Sequence, residues 1–382
     1  MNKPQIRFKG FEDEWKQSSF GALLNYIQPQ SYIVKSSKYK TRGIPVLTAG
    51  KSLLLGYTDE RFGVFNNLPC ILFDDFTTDS KFIDYPFKVK SSAAKMLVPF
   101  AKDANIYLLY LIMQNTSFEH SSHRRYWINE YSNIPIFLPS NAEQKQLTYI
   151  FAALDEMIAE TEREVNRLEK MKQASLQKMF PRPGATTPEI RFVGFSEPWV
   201  IRSIGSCFAE GNERGGYDNL LSVGITRGVY PTEDFVKTVT VKDFSNYKTV
   251  HEKDIVYNSM RMWQGASGVS NYNGIVSPAY TILTPKDNVW SPFFAYLFKL
   301  PWVIKIFEAN SQGLTKDTWN LKYPAISIIE FAVPSDMKEQ IYIANYFKKL
   351  DALLSAKRQK LAKLRNIKQA CLDKMFVNTS EL

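Results

Sequence analysis

Along residues 143–180 apolar side chains recur at alternating spacings of three and four, with Phe151, Leu154, Ile158, Thr161, Val165, Leu168, Lys172, Ser175 and Met179 on one seam. The spacing returns over 339–376 as Phe347, Leu350, Leu354, Lys357, Leu361, Leu364, Lys368, Cys371 and Met375. This periodicity predicts two long helices with coiled-coil seams, and neither segment contains an internal Pro or Gly. At ~1.5 Å per residue each rod measures about 57 Å, too long for one small domain to cover. The two seams are therefore expected to pack antiparallel, with the polar positions Thr161/Lys357 and Lys172/Lys368 helping to fix register. Ser140 and Ser335-Asp336 stand where the free amides of each helix need a cap, and Glu143 could close a capping box with Ser140. Pro181-Arg182-Pro183-Gly184 stops the first helix.

Ahead of each rod the pattern changes to short β-rich runs, such as Ile44-Pro45-Val46-Leu47, Ile71-Leu72-Phe73 and Ile255-Val256-Tyr257, separated by Gly, Asn and Asp turns. Residues 16–138 and 200–333 are expected to be α+β blocks. The whole arrangement occurs twice. Pro4-Gln5-Ile6-Arg7-Phe8-Lys9-Gly10-Phe11, ending at Trp15, returns as Pro188-Glu189-Ile190-Arg191-Phe192-Val193-Gly194-Phe195, ending at Trp199, with seven of twelve positions identical. The helix Glu143 to Phe180 returns as Glu339 to Phe376 with thirteen of thirty-eight identical, where chance gives about two. The fold class is thus α+β, with two globular domains related by pseudo-twofold symmetry and separated by two long antiparallel coiled-coil helices. The expected boundaries are 1–138 (first domain, with its box 4–15), 139–180 (central helix), 181–187 (linker), 188–333 (second domain, with its box 188–199), 334–376 (distal helix) and 377–382 (tail).

The chain has 382 residues, enough for two cores, and a net charge of +10 that points to an anionic partner, most simply nucleic acid. The charge is uneven. Residues 338–376 carry +7 and 143–180 carry −1, leaving +4 for everything else, so DNA contacts in the blocks must come from local clusters. Cys70, Cys207 and Cys371 are isolated and odd in number, which argues against a disulfide framework. No stretch reaches the roughly 18 apolar residues of a membrane span, and Met1-Asn2-Lys3-Pro4 lacks the apolar core of a signal peptide. A cytoplasmic protein without membrane contact is expected.

Several loops carry side chains suited to DNA. After Ile255-Val256-Tyr257 come Asn258, Ser259, Met260, Arg261, Met262, Trp263 and Gln264, and Arg, Asn and Gln are the side chains that read guanine and adenine edges. Ahead of Trp127 lie His120-Ser121-Ser122-His123-Arg124-Arg125, and ahead of Trp319 lie Thr315-Lys316-Asp317. Lys51 and Ser52, Asp74, Asp75, Thr77 and Thr78, and Arg227 complete the candidate DNA-binding set. The Ile71 and Ile255 runs align at one offset, and Ala93 to Pro99 falls opposite Ala279 to Pro285. The strands therefore stay apolar while the turns that follow them differ.

Catalytic signatures are missing. Gly50-Lys51-Ser52 resembles the end of a phosphate loop, but Pro45 stands where that loop needs Gly. Asp79-Ser80-Lys81 lacks an upstream acidic partner for a nuclease, and His120 with His123 lacks a third metal ligand. No Asn-Pro-Pro-Tyr, Gly-x-Gly-x-x-Gly, His-Glu-x-x-His or Gly-x-Ser-x-Gly occurs. The chain is expected to recognise rather than react, with no catalytic residue, metal or cofactor of its own.

The order Pro-x-Ile-Arg-Phe-x-Gly-Phe…Trp, variable block, Glu-Gln…Leu-Asp…Lys-Met-Phe helix, and then all of it again, resembles the specificity subunit of type I restriction-modification systems. The resemblance spans Pro4 to Phe376. It implies that each block reads one half of an asymmetric, bipartite target in double-stranded DNA. It implies that the helices set the unread spacer and dock two modification subunits; the residues expected at the subunit or coiled-coil interface are Phe151, Leu154, Ile158, Val165, Leu168, Met179, Phe347, Leu350, Leu354, Leu361, Leu364 and Met375. The modification subunits would use S-adenosylmethionine to methylate adenine N6, and restriction subunits could join with ATP and magnesium. The residues by themselves leave open a stand-alone two-headed DNA-binding protein and a coiled-coil protein-interaction scaffold.

Overall fold

The computed structural model describes residues 3–50, 52–101, 104–119, 124–217, 219–232 and 244–377. Two helices dominate it, a central one at Asn141–Lys178 and a distal one at Met337–Met375. Contacts divide the chain into two compact units, Met1–Glu162 with Gln359–Leu382, and Arg163–Arg358. Each unit therefore holds one block, one half of the central helix and one half of the distal helix.

The first unit is organised by a four-stranded antiparallel sheet in the order Leu24–Ile27, Ala94–Pro99, Cys70–Asp74, Ser80–Ile83. Its apolar centre follows from the strand Cys-Ile-Leu-Phe, buried on both faces: Ile71 and Phe73 join one core with Trp127 and Tyr131, whereas Cys70 and Leu72 join another with Phe65 and Phe87. A helix at Ile106–Gln114 covers the first core, and a three-stranded sheet of Leu54–Thr58, Ile44–Leu47 and Lys88–Val89 adjoins the second. The second unit repeats the central sheet in the same order, as Phe208–Glu210, Tyr280–Pro285, Ile255–Asn258 and Ser267–Val269. A hairpin, Leu221–Gly224 with Gly228–Pro231, packs so closely on the last strand that a side chain at Gly268 would lie 2.8 Å from the Gly228 Cα.

Within each unit the two helix halves run antiparallel. In the first, Lys368 pairs with Asp155 and Arg365 with Glu162; in the second, Lys172 pairs with Asp351 and Ser175 meets Tyr346. All the seam positions are buried or half-buried. Residues common to both copies of the repeat meet one another: Asp155 and Asp351 each take a lysine from the opposite helix and a tyrosine from the block, Tyr107 at 2.6 Å and Tyr296 at 2.9 Å. Burial and the adjacent carboxylate push both phenols up, so they donate throughout the neutral range.

The Pro-x-Ile-Arg-Phe boxes have a structural explanation. Arg7 reaches Glu143 through two bonds of 2.7 and 2.8 Å, and Arg191 reaches Glu339 at 2.6 and 2.8 Å. Glu143 does not close its capping box because its carboxylate turns to Arg7; the Ser140 hydroxyl still accepts from the Glu143 amide. The Ile6 amide donates to the carbonyl of Lys374 and the Ile190 amide to that of Lys178, each at 2.9 Å, satisfying a helix-end acceptor. Trp15 meets Phe376 and Trp199 meets Phe180 edge-on, both at 6.2 Å. Each box thus clamps the end of one helix against the start of the other.

Candidate nucleic-acid interface

In the second unit the run after Ile255–Asn258 forms a compact, pinned turn. The Asn258 carboxamide accepts from the Met260 amide at 3.0 Å, and a 3-10 turn at Met262–Gln264 ends at Gly265, whose φ of 81° lies in the left-handed region that favours glycine. Arg261 and Met260 are exposed. The Trp263 indole donates to the Met260 carbonyl at 3.0 Å and packs edge-on against Trp319 at 5.5 Å. Lys316 lies over both rings, 5.6 and 5.5 Å away, with Glu308 at 3.9 Å, an arrangement that holds a cation at the surface without neutralising it fully. Thr315 is exposed and bonded to Thr318. Two regions far apart in sequence, 258–264 and 315–319, are thereby brought together.

A third element joins them. The half-buried Lys299 ammonium donates to the carbonyl of Ile225 at 2.8 Å and to that of Gly265, tying the hairpin tip to the 3-10 turn. Burial pushes this lysine down to about 8. The tip carries Arg227, stacked over Tyr230 at 4.6 Å. A lone lysine after Leu297-Phe298 gives no sign in the sequence that it links two loops. Ser259 is buried, its hydroxyl donating to the Ala279 carbonyl and its own carbonyl accepting from Leu321 at 2.9 Å; it shapes the turn from beneath. Gln264 is half-buried and its amide oxygen has no hydrogen-bond partner among the described residues.

The first unit uses the same layout with different chemistry. Asp74 ends its strand and accepts from the amides of Phe76 at 2.9 Å and Thr77 at 3.1 Å, leaving Thr77 exposed and Thr78 half-buried at φ 56°. Asp75 is 1% exposed. Its carboxylate pairs with Lys95 at 3.1 Å and accepts from the Trp127 amide at 2.8 Å, while its carbonyl accepts from Tyr126 at 2.9 Å. Buried in this way, Asp75 joins the turn to the loop before Trp127 rather than facing a ligand. Arg125 lies over Phe76 at 5.8 Å, and Arg124 pairs with Glu130 at 2.8 Å; both are exposed. Trp127 is buried and Trp319 half-buried at the loop surface, so the two tryptophans differ in setting. Ser52 is exposed beside the Thr48 turn. Lys51, His120 and His123 lie outside the described residues.

Among the described residues, no three His, Cys, Asp or Glu side chains gather as a metal site, and no helix is long and apolar enough to cross a membrane. Cys70 and Cys207 are buried and Cys371 half-buried, all as free thiols.

No protein-family model matches the chain. Over 174 residues, 42% of this chain and 43% of the relative, it is 38% identical to the Type I restriction enzyme EcoR124I/EcoR124II specificity subunit of Escherichia coli. The match therefore spans less than half the length of that subunit. Its fold matches the crystal structure of the type I restriction-modification S subunit from M. genitalium over 98% of this chain and 99% of the other, with a TM-score of 0.65 at 12% identity. An HsdS subunit from Thermoanaerobacter tengcongensis aligns over 95% of the chain with a TM-score of 0.43 at 15% identity. The chain is a relative in sequence of a type I specificity subunit and has the fold of one.

Proposed function

We propose that this chain is the DNA-recognition subunit of a type I restriction-modification complex, each unit reading one half of a bipartite, asymmetric target. What carries the reading is one scaffold used twice with different loops. In both units the carbonyl of the residue after a central strand accepts from an amide beside a tryptophan, Tyr126 just before Trp127 in one and Leu321 just after Trp319 in the other, but the exposed residues are Thr77, Arg124 and Arg125 in the first and Arg261, Thr315 and Lys316 in the second. Base identity would come from Arg261 and Gln264, and register on the duplex from Lys316, Arg227, Arg124 and Arg125. The paired helices would measure the gap between half-sites and dock two modification subunits. S-adenosylmethionine would serve those subunits, and ATP and magnesium the restriction subunits. The chain itself supplies no catalytic group in this reading.

A methyltransferase must take its adenine out of the stack, so the reader has to hold the duplex while that happens. The modest +4 outside the helices neutralises few phosphates, and tight binding is expected only with the modification subunits present. The deciding experiment is genome-wide mapping of adenine methylation in cells with and without this gene alongside its partner subunits. Two short words separated by a fixed gap, lost with the gene, are expected. An unchanged methylation map would overturn the proposal.

A further inference from the structure

The first unit carries a second feature suited to DNA, remote in sequence from the turn at Asp74 and from Arg124 and Arg125. Residues 35–42 and 59–63 together hold five Lys and Arg against two acids. Lys35, Lys38, Lys40, Arg42 and Arg61 are all exposed. The two acids are committed internally: Asp59 pairs with Lys40, and Glu60 accepts from the amides of Lys35 at 3.1 Å and Ser36 at 2.9 Å. Those bonds hold the Glu60 carboxyl below the usual range. Among the described residues no acid pairs with Lys35, Lys38, Arg42 or Arg61.

The same bonds make the segment rigid. Lys40 and Tyr57 exchange backbone bonds of 2.8 and 3.1 Å. The buried Lys88 ammonium donates to the carbonyls of Phe62 at 2.6 Å and Gly63 at 3.1 Å and lies 3.5 Å from Glu60. Gly63 has φ 64°, and a side chain there would come within 2.1 Å of the Ser31 carbonyl. At the tip of this fixed turn Phe62 is 93% exposed. An aromatic ring held in water by a turn whose backbone is bonded on several sides is poised to be covered, and the cations around it select an anionic surface.

We infer that residues 35–42 and Phe62 form a DNA-contacting arm of the first unit, in which Lys35 and Lys38 engage phosphates and the Phe62 ring enters a groove against a base or sugar. Apolar side chains presented among basic ones act this way as groove wedges. The inference rests on the proposed function, because it takes duplex DNA to be the ligand.

The test uses the full chain assembled with its modification subunits and a duplex containing the mapped target. Replacing both Lys35 and Lys38 by Gln leaves the Glu60 backbone bonds intact, and the slope of log K against log salt should fall by about 0.9 for each phosphate that is no longer neutralised. A photo-crosslinking phenylalanine analogue at position 62 should join the chain to the duplex. An unchanged salt slope would overturn the inference, as would crosslinking only to a protein subunit or to nothing. Arg261→Ala is the control that separates two failures. If it alters target binding while the arm variants do not, only the arm is wrong; if no complex binds the duplex sequence-dependently, the proposed function falls with it.

Discussion

Removing the arginine of one box should expose what the boxes do. Arg191→Met keeps the aliphatic stem but leaves Glu339, whose side chain is 1% exposed, without its two bonds. An ion stranded in the interior costs about 3–5 kcal/mol, far above the ~0–1 kcal/mol of a surface pair. Arg191 itself retains 14% exposure, which places the expected loss nearer the lower figure. Arg7→Met strands Glu143 equally, with side-chain exposures of 13% and 1% for that pair, and so should cost about the same. The assay is urea unfolding followed by tryptophan fluorescence, since Trp199 and Trp15 each pack beside a box, with each unit allowed its own transition. Adding Glu339→Leu to Arg191→Met removes the stranded charge and should recover most of the loss, because apolar replacement of a buried pair is often near neutral. A loss below about 1 kcal/mol in the single variant would refute the reasoning. So would a double variant no better than the single.

The loops and seams give further tests. Arg261→Ala or Gln264→Ala should relax one half-site by about 1–3 kcal/mol per bidentate pairing while assembly is unaffected; unchanged methylation patterns would remove both residues. Lys299→Met, which unties Ile225 from Gly265, should relax the same half-site without altering the first, and Lys299→Arg should restore part of it. Leu364→Asp puts a carboxylate into the buried seam and should abolish paired-site methylation; retention of the original spacer would count against the helical pair as the ruler. Because the Glu60 carboxyl is depressed below its unfolded value, its support for residues 35–36 is present above about pH 4.3 and is lost as pH falls through the folded value. The amide resonances of Lys35 and Ser36 should move over that lower range, and movement centred above it would contradict the assignment.

The rods were readable because a heptad declares itself in every turn, and the charges that enter the seam, Lys172, Lys357 and Lys368, each meet an acid on the opposite helix. The strand Cys70–Asp74 and its counterpart Ile255–Asn258 were readable for a related reason, as apolar runs buried on both faces. Interior pins are another matter. Asp75 and Thr77 look alike in sequence as polar residues of one turn, yet one is buried against Lys95 and the other faces water, since the difference depends on which way a two-residue step points. Lys299 and Lys88 gave no signal because a lysine that bonds backbone carbonyls has no sequence partner to match. The density of cations in 35–42 is visible in the chain, but the exposure of Phe62 arises from Gly63 and Lys88 and has no pattern of its own.

The closure of the first unit on Lys374 and Phe376 bears on how the protein is made. The second unit, Arg163–Arg358, is one unbroken stretch of chain, so it can fold as soon as its last residues leave the ribosome. The first has to wait. Trp15 and Phe151 meet Phe376 only once that residue has emerged, more than two hundred residues after Phe151, and pairings this distant in sequence are slow to form. During that interval the aromatic surface around Trp15 and Phe151 lacks the ring of Phe376, and the nascent chain should be most vulnerable to aggregation and most dependent on chaperones.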